Sequence, residues 1–217
     1  LHIGLIVGCR QVQQLVERVQ QLQPDLLVAT GDLVDGHISH VDGVSRLLRG
    51  ITPPLGMYAV FGNHEYYVGS GTSHSFLEQA GFRVLRQQEL LVGKHLALAG
   101  VDDPAGKRYG LQPEPDEHAL LSSLPKDRFV LLLKHRPEVV SENRGLFDLQ
   151  LSGHVHKGQI FPFNVLTWLQ FPVRAGKNQL EGGGLLYVSR GTGTWGPPIR
   201  FLAPPEVTVI DLVPAKN

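Results

Sequence analysis

Asp32, Asn63, His64, His135, His154 and His156 are the residues of this chain best suited to chemistry. Each follows a short apolar run and sits beside a turn residue or a motif break. In an open α/β sheet, ligands bind beyond the carboxyl ends of the strands, so residues placed this way can converge. Their donor atoms are carboxylate oxygen, amide oxygen and imidazole nitrogen, with no thiolate. That set suits Mn, Fe, Zn or Ni in a reactive site rather than a structural zinc. Asp32 can bridge two ions through its two oxygens, and Asn63 offers a neutral carbonyl. His154 and His156 would face opposite sides of a regular strand, but in a turn they can reach two adjacent ions. Two ions about 3.5–4 Å apart can clamp the attacking and leaving oxygens of a phosphoryl displacement. If Asn63 is a ligand, the adjacent His64 diverges from it and is free to act as a general acid. Asp35, three residues after Asp32, can orient His64 and raise its pKa.

Elements of the right kind flank these residues. Val12, Leu15, Val16, Val19 and Leu22 recur at helical spacing, which predicts an amphipathic helix over 11–22 that Pro24 stops. Short strands are predicted at 25–30, 56–61, 129–133, 149–151, 185–189 and 207–212, with two more inside 85–101. Further helices are predicted at 41–48, 73–80 and 114–124. Strands alternate with helices in the first half and dominate the last third, which predicts an α/β sandwich with mixed sheets. The long connections 102–116 and 157–183 read as walls or lids of a site.

The strings GDLVDG (31–36), GNHEYY (62–67), KHRP (134–137) and SGHVHKGQ (152–159) resemble the ordered signature of the calcineurin-like metallophosphoesterases. That signature runs D-x-H, GD-x-x-D, GNH-E/D, an isolated H, then GH-x-H. The stretch YVSRGTGTWGPPIR (187–200) and the GH-x-H-x-GQ form are similar to one bacterial branch. Its members usually carry this domain behind an N-terminal membrane or export segment. The resemblance covers essentially the whole chain as one catalytic domain, 1–217. It implies a four-layer α/β/β/α sandwich with two mixed sheets and a centre for two divalent ions of the Mn, Fe or Zn kind. Asp32 would bridge, His2 and His156 would serve one ion, and Asn63, His135 and His154 the other. His64 would donate the proton, backed by Asp35. The chain opens Leu1-His2, so the resemblance also implies an Asp immediately ahead of Leu1 and a strand leading into it. On that reading the first strand is missing from this chain, and the intact protein is membrane-associated or exported.

Composition narrows the alternatives. The 217 residues are 42% hydrophobic and 18% charged, with Lys+Arg and Asp+Glu both at 20 and a formal net charge of +0. A large core is therefore available, and a strongly basic nucleic-acid binder is disfavoured. The single cysteine, Cys9, excludes an intrachain disulfide framework. No run of 18 apolar residues is present. The expected substrate is a phosphoester, small or lipid. Phosphodiesters are preferred by resemblance, and because no arginine stands beside the GD or GNH blocks to clamp a dianionic monoester. Gln159 is expected at the rim as a substrate contact. Arg10, Lys157 and Arg190 are weaker phosphate candidates, and Asp102-Asp103 reads as a polar strand end. His37 and His74 could line the mouth. Phe161, Phe163, Trp168, Phe171 and Trp195 form a late aromatic group that would suit a lipid wall. The alternatives are a lipid or nucleotide-sugar pyrophosphatase at a membrane surface and a non-catalytic scaffold.

Overall fold

The computed structural model describes residues 1–36, 38, 43–110, 116–160, 173 and 175–214. Helix α1 (Cys9–Leu22) starts two residues earlier than its apolar spacing predicts, because the Gln11 side chain accepts from the Gly8 amide at 3.3 Å. It buries Val12, Val16 and Val19 and ends where Gln23 turns left-handed before Pro24. Strand β1 (Leu27–Ala29), helix α2 (Val44–Arg49) and strand β2 (Met57–Ala59) follow. Two helices, α3 (Asn63–Val68) and α4 (Ser70–Gln79), then lead to β3 (Arg83–Val84). These strands form a parallel sheet in the order β1-β2-β3, with Ala29 opposite Ala59. Helical crossovers between successive strands enforce that parallel sense.

The second sheet contains β4 (Gln88–Val92), β5 (Leu96–Val101), β6 (Phe129–Lys134), β7 (Leu149–Ser152), β8 (Gly176–Gln179) and β9 (Leu185–Val188). Its order is β4-β5-β6-β7-β9-β8, with the four inner strands parallel and the two edge strands antiparallel. Helix α5 (Glu117–Ser122) precedes β6; the Asp116 carboxylate caps it by accepting from the Ala119 amide at 2.9 Å.

Alternation along the inner strands builds the layers. Leu96, Leu98, Leu131 and Leu133 point toward the first sheet and pack with Val60 and Leu85. Ala97, Ala99, Val101, Val130 and Leu132 point outward against Leu120, Leu121 and Leu124 of the α5 region. On the far side, Val12, Val16, Val19, Val44, Leu48 and Leu77 cover the first sheet. The result is the α/β fold with two sheets that the element pattern predicts. Losing a fully buried side chain such as Leu98 would cost about 2–5 kcal/mol.

Two expectations need correction. Only the larger sheet is mixed; the paired strands of the smaller one are all parallel. The segment 207–212 forms no strand. It lines one wall of an apolar cavity of about 850 Å³ whose other wall includes Leu26, Leu27, Val28 and Ala29.

The chain start is tied into the first layer. The Leu1 amino group donates to the Asp32 carbonyl at 2.6 Å, and the His2 amide donates to the same oxygen at 2.9 Å. The Ile3 amide donates to Leu33 O, and the Asp35 amide donates back to Ile3 O. Ile3 is fully buried and anchors this short pairing. No helix among the described residues is long and apolar enough to cross a membrane.

Candidate metal centre

Four strand ends meet at one edge of the two sheets. Asp32 follows β1, Asn63 and His64 follow β2, His135 follows β6, and His154 and His156 follow β7. Gly31 and Gly62 allow the loops to close. Gly31 adopts φ +91°, and a Cβ there would lie 2.5 Å from Gly62 N and 2.7 Å from His135 Nδ1. A Cβ on Gly62 would lie 2.3 Å from Asp32 Oδ1 and 2.7 Å from His135 Cε1.

Glu65 locks these loops together. It is fully buried, and its carboxylate accepts four backbone amides: Asp32 at 2.9 Å, Leu33 at 2.7 Å, Val34 at 3.2 Å and Gly62 at 2.7 Å. Burial pushes its carboxyl pKa up and the Asp32 charge adds to that, while the amides of Gly62 and Asp32 oppose both. Sequence reasoning missed this role; the only signal was a Glu following Gly-Asn-His.

The structure gathers every predicted ligand around Asp32. The first donor group is His2, Asp32 and His156. Here His2 Nε2 lies 2.9 Å from His156 Nε2 and 3.8 Å from Asp32 Oδ2. Asp32, His135 and His154 form the second. In it, His135 Nε2 lies 3.2 Å from Asp32 Oδ2, 3.0 Å from His154 Nδ1 and 3.2 Å from Asn63 Oδ1. Metal–ligand bonds of about 2.1 Å at right angles place neighbouring ligand atoms about 3.0 Å apart. The donor set and its spacing therefore fit a pair of ions sharing Asp32.

Protonation follows from the surroundings. His135 Nδ1 donates to the Thr30 carbonyl at 2.7 Å, which turns Nε2 inward. Burial lowers the His135 pKa, but the Asp32 charge overrides it and raises the pKa to about 9. Burial likewise opposes ionisation of Asp32, yet the charge and hydrogen bond of His135, with His2 and His64, hold it well below the usual carboxylate range. Burial lowers His2 and His154 to about 4 each, and His156 to about 2. His2, His154 and His156 are thus neutral beside an ionised carboxylate, whereas His135 holds a proton that it must give up before its Nε2 can ligate a cation.

His64 belongs to neither group, although it lies beside His2, with ring centroids 4.6 Å apart, and forms a third cluster of possible donors with His2 and Asp35. Its Nδ1 lies 2.8 Å from Asp35 Oδ1, and its backbone amide donates to Asp32 Oδ1 at 3.0 Å. Burial lowers its pKa, but the Asp35 hydrogen bond and the charges of Asp32, Asp35 and Glu65 outweigh that and raise it. Asp35 also approaches His2 Nδ1 at 3.5 Å.

Other expectations change. Gln159 is not an open rim residue. It is buried; its amide nitrogen donates to Trp195 O at 2.6 Å and Pro197 O at 3.3 Å, and its oxygen accepts from Trp195 N at 2.8 Å. Both ends of the amide are engaged by the 195–197 loop, which it ties to the end of the 152–159 segment. Arg190 is paired with Glu206. His74 neighbours Glu78 at 3.4 Å on α4. Asp102 and Asp103 are buried and hold arginines: Asp102 binds Arg86, and Asp103 grips Arg136 at 2.7 and 3.1 Å. Arg136 was not anticipated, although it directly follows His135 and bears electrostatically on His154. Arg200, also unanticipated, places Nη2 3.0 Å from His156 Nδ1. His37, Phe161, Phe163, Trp168 and Phe171 lie outside the described residues.

Residues 1–158 match the family described as calcineurin-like phosphoesterase. An uncharacterized metallophosphoesterase of Aquifex aeolicus is 41% identical over 98% of this chain and 82% of its own length. One from Helicobacter pylori is 36% identical over 99% of this chain but only 58% of its own length. A zebrafish (Danio rerio) protein named as a transmembrane protein with a metallophosphoesterase domain is 32% identical over 98% of this chain and 51% of its own length. The chain thus spans little more than half of several longer relatives. With the motif order, the gathered donors and a family match over most of its length in agreement, the chain belongs to the calcineurin-like phosphoesterase family.

Proposed function

We propose that this domain hydrolyses phosphodiesters at a two-ion centre, with His64 as the general acid. The observation that carries the reading is Asp32 Oδ2, shared by two donor groups beside the His64–Asp35 pair. When bound, two divalent ions of the Mn, Fe or Zn kind would lower the pKa of an attacking water and neutralise charge on the phosphoryl oxygens. Asp32, His2 and His156 would hold one ion; Asp32, Asn63, His135 and His154 would hold the other. Asp35 accepts from His64 Nδ1 and leaves Nε2 to deliver a proton to the leaving alkoxide. Glu65 keeps the Asp32 and Gly62 loops in register throughout. Arg136, held by Asp103, adds positive charge beside His154. The relatives named as transmembrane proteins support a membrane-associated or exported setting for the intact protein.

The test is hydrolysis of bis-p-nitrophenyl phosphate by chelator-treated protein, with and without added Mn²⁺, Fe²⁺ or Zn²⁺. Ion-dependent turnover that disappears in His154→Ala is the expected result. No turnover with any of these ions would favour the non-catalytic scaffold, whereas activity on a lipid pyrophosphate alone would favour the membrane-surface pyrophosphatase.

A further inference from the structure

His64 is not the last functional residue on its helix. Tyr67 lies three residues on, so the two side chains share one face of α3. Their ring centroids are 5.2 Å apart. Tyr109, at the end of the short 3₁₀ helix Pro104–Tyr109, lies beside Tyr67, with the centroids 6.2 Å apart and the ring planes inclined by 51°. Both rings face outward: Tyr67 is 56% exposed and Tyr109 55% exposed.

The support beneath them is rigid. Tyr66 is buried and stacks under Tyr109, with centroids 6.3 Å apart and planes inclined by 21°. Arg86 donates to the Tyr66 hydroxyl at 3.1 Å and lies over the Phe61 ring at 4.7 Å. Asp102 fixes Arg86 from behind at 3.1 and 3.2 Å. Phe61, Arg86, Tyr66 and Tyr109 therefore form a supported stack that ends in an open aromatic face beside the proposed acid.

We propose that Tyr67 and Tyr109 form a shelf that seats the leaving group, and that this group is planar, as in a nucleoside. The inference rests on the phosphodiesterase reading above, because His64 marks the leaving-group side only if it is the acid. A base laid on an aromatic side chain gains binding through stacking that an aliphatic alcohol cannot match, an advantage of about tenfold or more.

The kinetic test compares a thymidine dinucleoside monophosphate with glycerophosphoglycerol, each a monoanion. Both are diesters with alkoxide leaving groups, so stacking is the main difference between them. The ratio of their kcat/KM values should fall about tenfold in Tyr67→Ala and in Tyr109→Ala, and persist in Tyr109→Phe. An unchanged ratio in both alanine variants overturns the shelf, as does a wild-type preference for the glycerophosphodiester. An equal loss in Tyr109→Phe would instead assign the effect to the hydroxyl and overturn stacking. Calorimetric binding of adenosine 5′-monophosphate and ribose 5-phosphate, in Mn²⁺, gives an independent readout. The nucleotide should bind about tenfold tighter to wild type and lose that advantage in Tyr109→Ala; equal affinities overturn the proposal. If the wild type hydrolyses no diester with any added ion, the parent reading fails, and the binding comparison still decides the shelf.

Discussion

Asp35 holds His64 through a single contact, Oδ1 to Nδ1 at 2.8 Å, and that contact decides which ring nitrogen faces the open site. An acid positioned this way matters most when the departing oxygen is strongly basic. His64→Ala should lower kcat on an alkyl diester by about 10²–10⁴-fold. The same variant should lose far less on bis-p-nitrophenyl phosphate, since p-nitrophenolate leaves without a proton. Metal content, measured by atomic absorption, should stay at the wild-type level. Loss of metal together with activity would make His64 a ligand.

Glu65 gives a contrasting outcome. Glutamine keeps the shape of the side chain but puts an NH₂ group where two of the four backbone amides now donate. Each buried donor left without a partner costs about 1–3 kcal/mol. Glu65→Gln should therefore lower Tm by about 4–24 °C and reduce bound metal, because the Asp32 and Gly62 loops lose their shared anchor. A variant with wild-type Tm and metal content would show that the carboxylate is dispensable.

Gly62 tests the steric side of the site. An added methyl would meet Asp32 Oδ1 at 2.3 Å and Asp32 N at 2.8 Å, so the bridging carboxylate must move. A displacement near 1 Å costs about 10²-fold in rate. Gly62→Ala should lose that much kcat/KM in the diester assay. Gly8→Ala is the control, because its nearest new contact is Gln11 Oε1 at 3.9 Å; equal losses in the two variants would remove the steric argument.

Stability should also respond to acid at Glu206, a carboxylate outside the candidate ligand set. Glu206 accepts from the Arg190 side chain, from the Arg190 amide at 3.1 Å and from Tyr187 Oη at 3.2 Å. Burial works against its charge, but these donors and the Arg190 cation hold its pKa below the ordinary value of 4.5. A depressed carboxylate stabilises the fold above its unfolded pKa and loses that contribution as pH falls through the native value. Glu206→Gln should lower Tm by about 2–4 °C at pH 7, and the gap should narrow steadily below pH 4.5. A gap that is constant from pH 7 to pH 3 would show that the charge contributes nothing.

The parts of this protein legible in sequence share a physical cause. The inner strands β5 and β6 are buried on both faces, so LALAGV and FVLLL appear as unbroken apolar runs, and polar residues follow where each run stops. Asp32, Asn63, His135, His154 and His156 were readable for that reason. Strand β8, GKNQ, was not, because an edge strand half in solvent carries no apolar signal. Residues 207–212 erred the other way: their composition suits a strand, but pairing requires a neighbour that local sequence does not encode. Helix α3 was also missed, since its six residues are held by the packing of Tyr66 on Phe61 more than by propensity. Asp103 and Arg136 lie 33 positions apart, and only the packed sheets reveal that one grips the other.

Four candidate ligands, His2, Asp32, His154 and His156, have positive φ values of 60°, 54°, 66° and 45°. An L-residue in that region costs roughly 1–2 kcal/mol. Here the cost is met by Ile3 in the core, Glu65 across two loops and the strand ends beneath them. Contacts of this kind predict loops that folding itself orders, unlike small metallodomains that collapse only around their ion. A chelator should empty such a centre without melting it, and ions returned to the solution should find their coordination sphere already assembled. Affinity in this centre then reflects preorganisation, and exchange of one divalent ion for another is a local event that the rest of the molecule need not register.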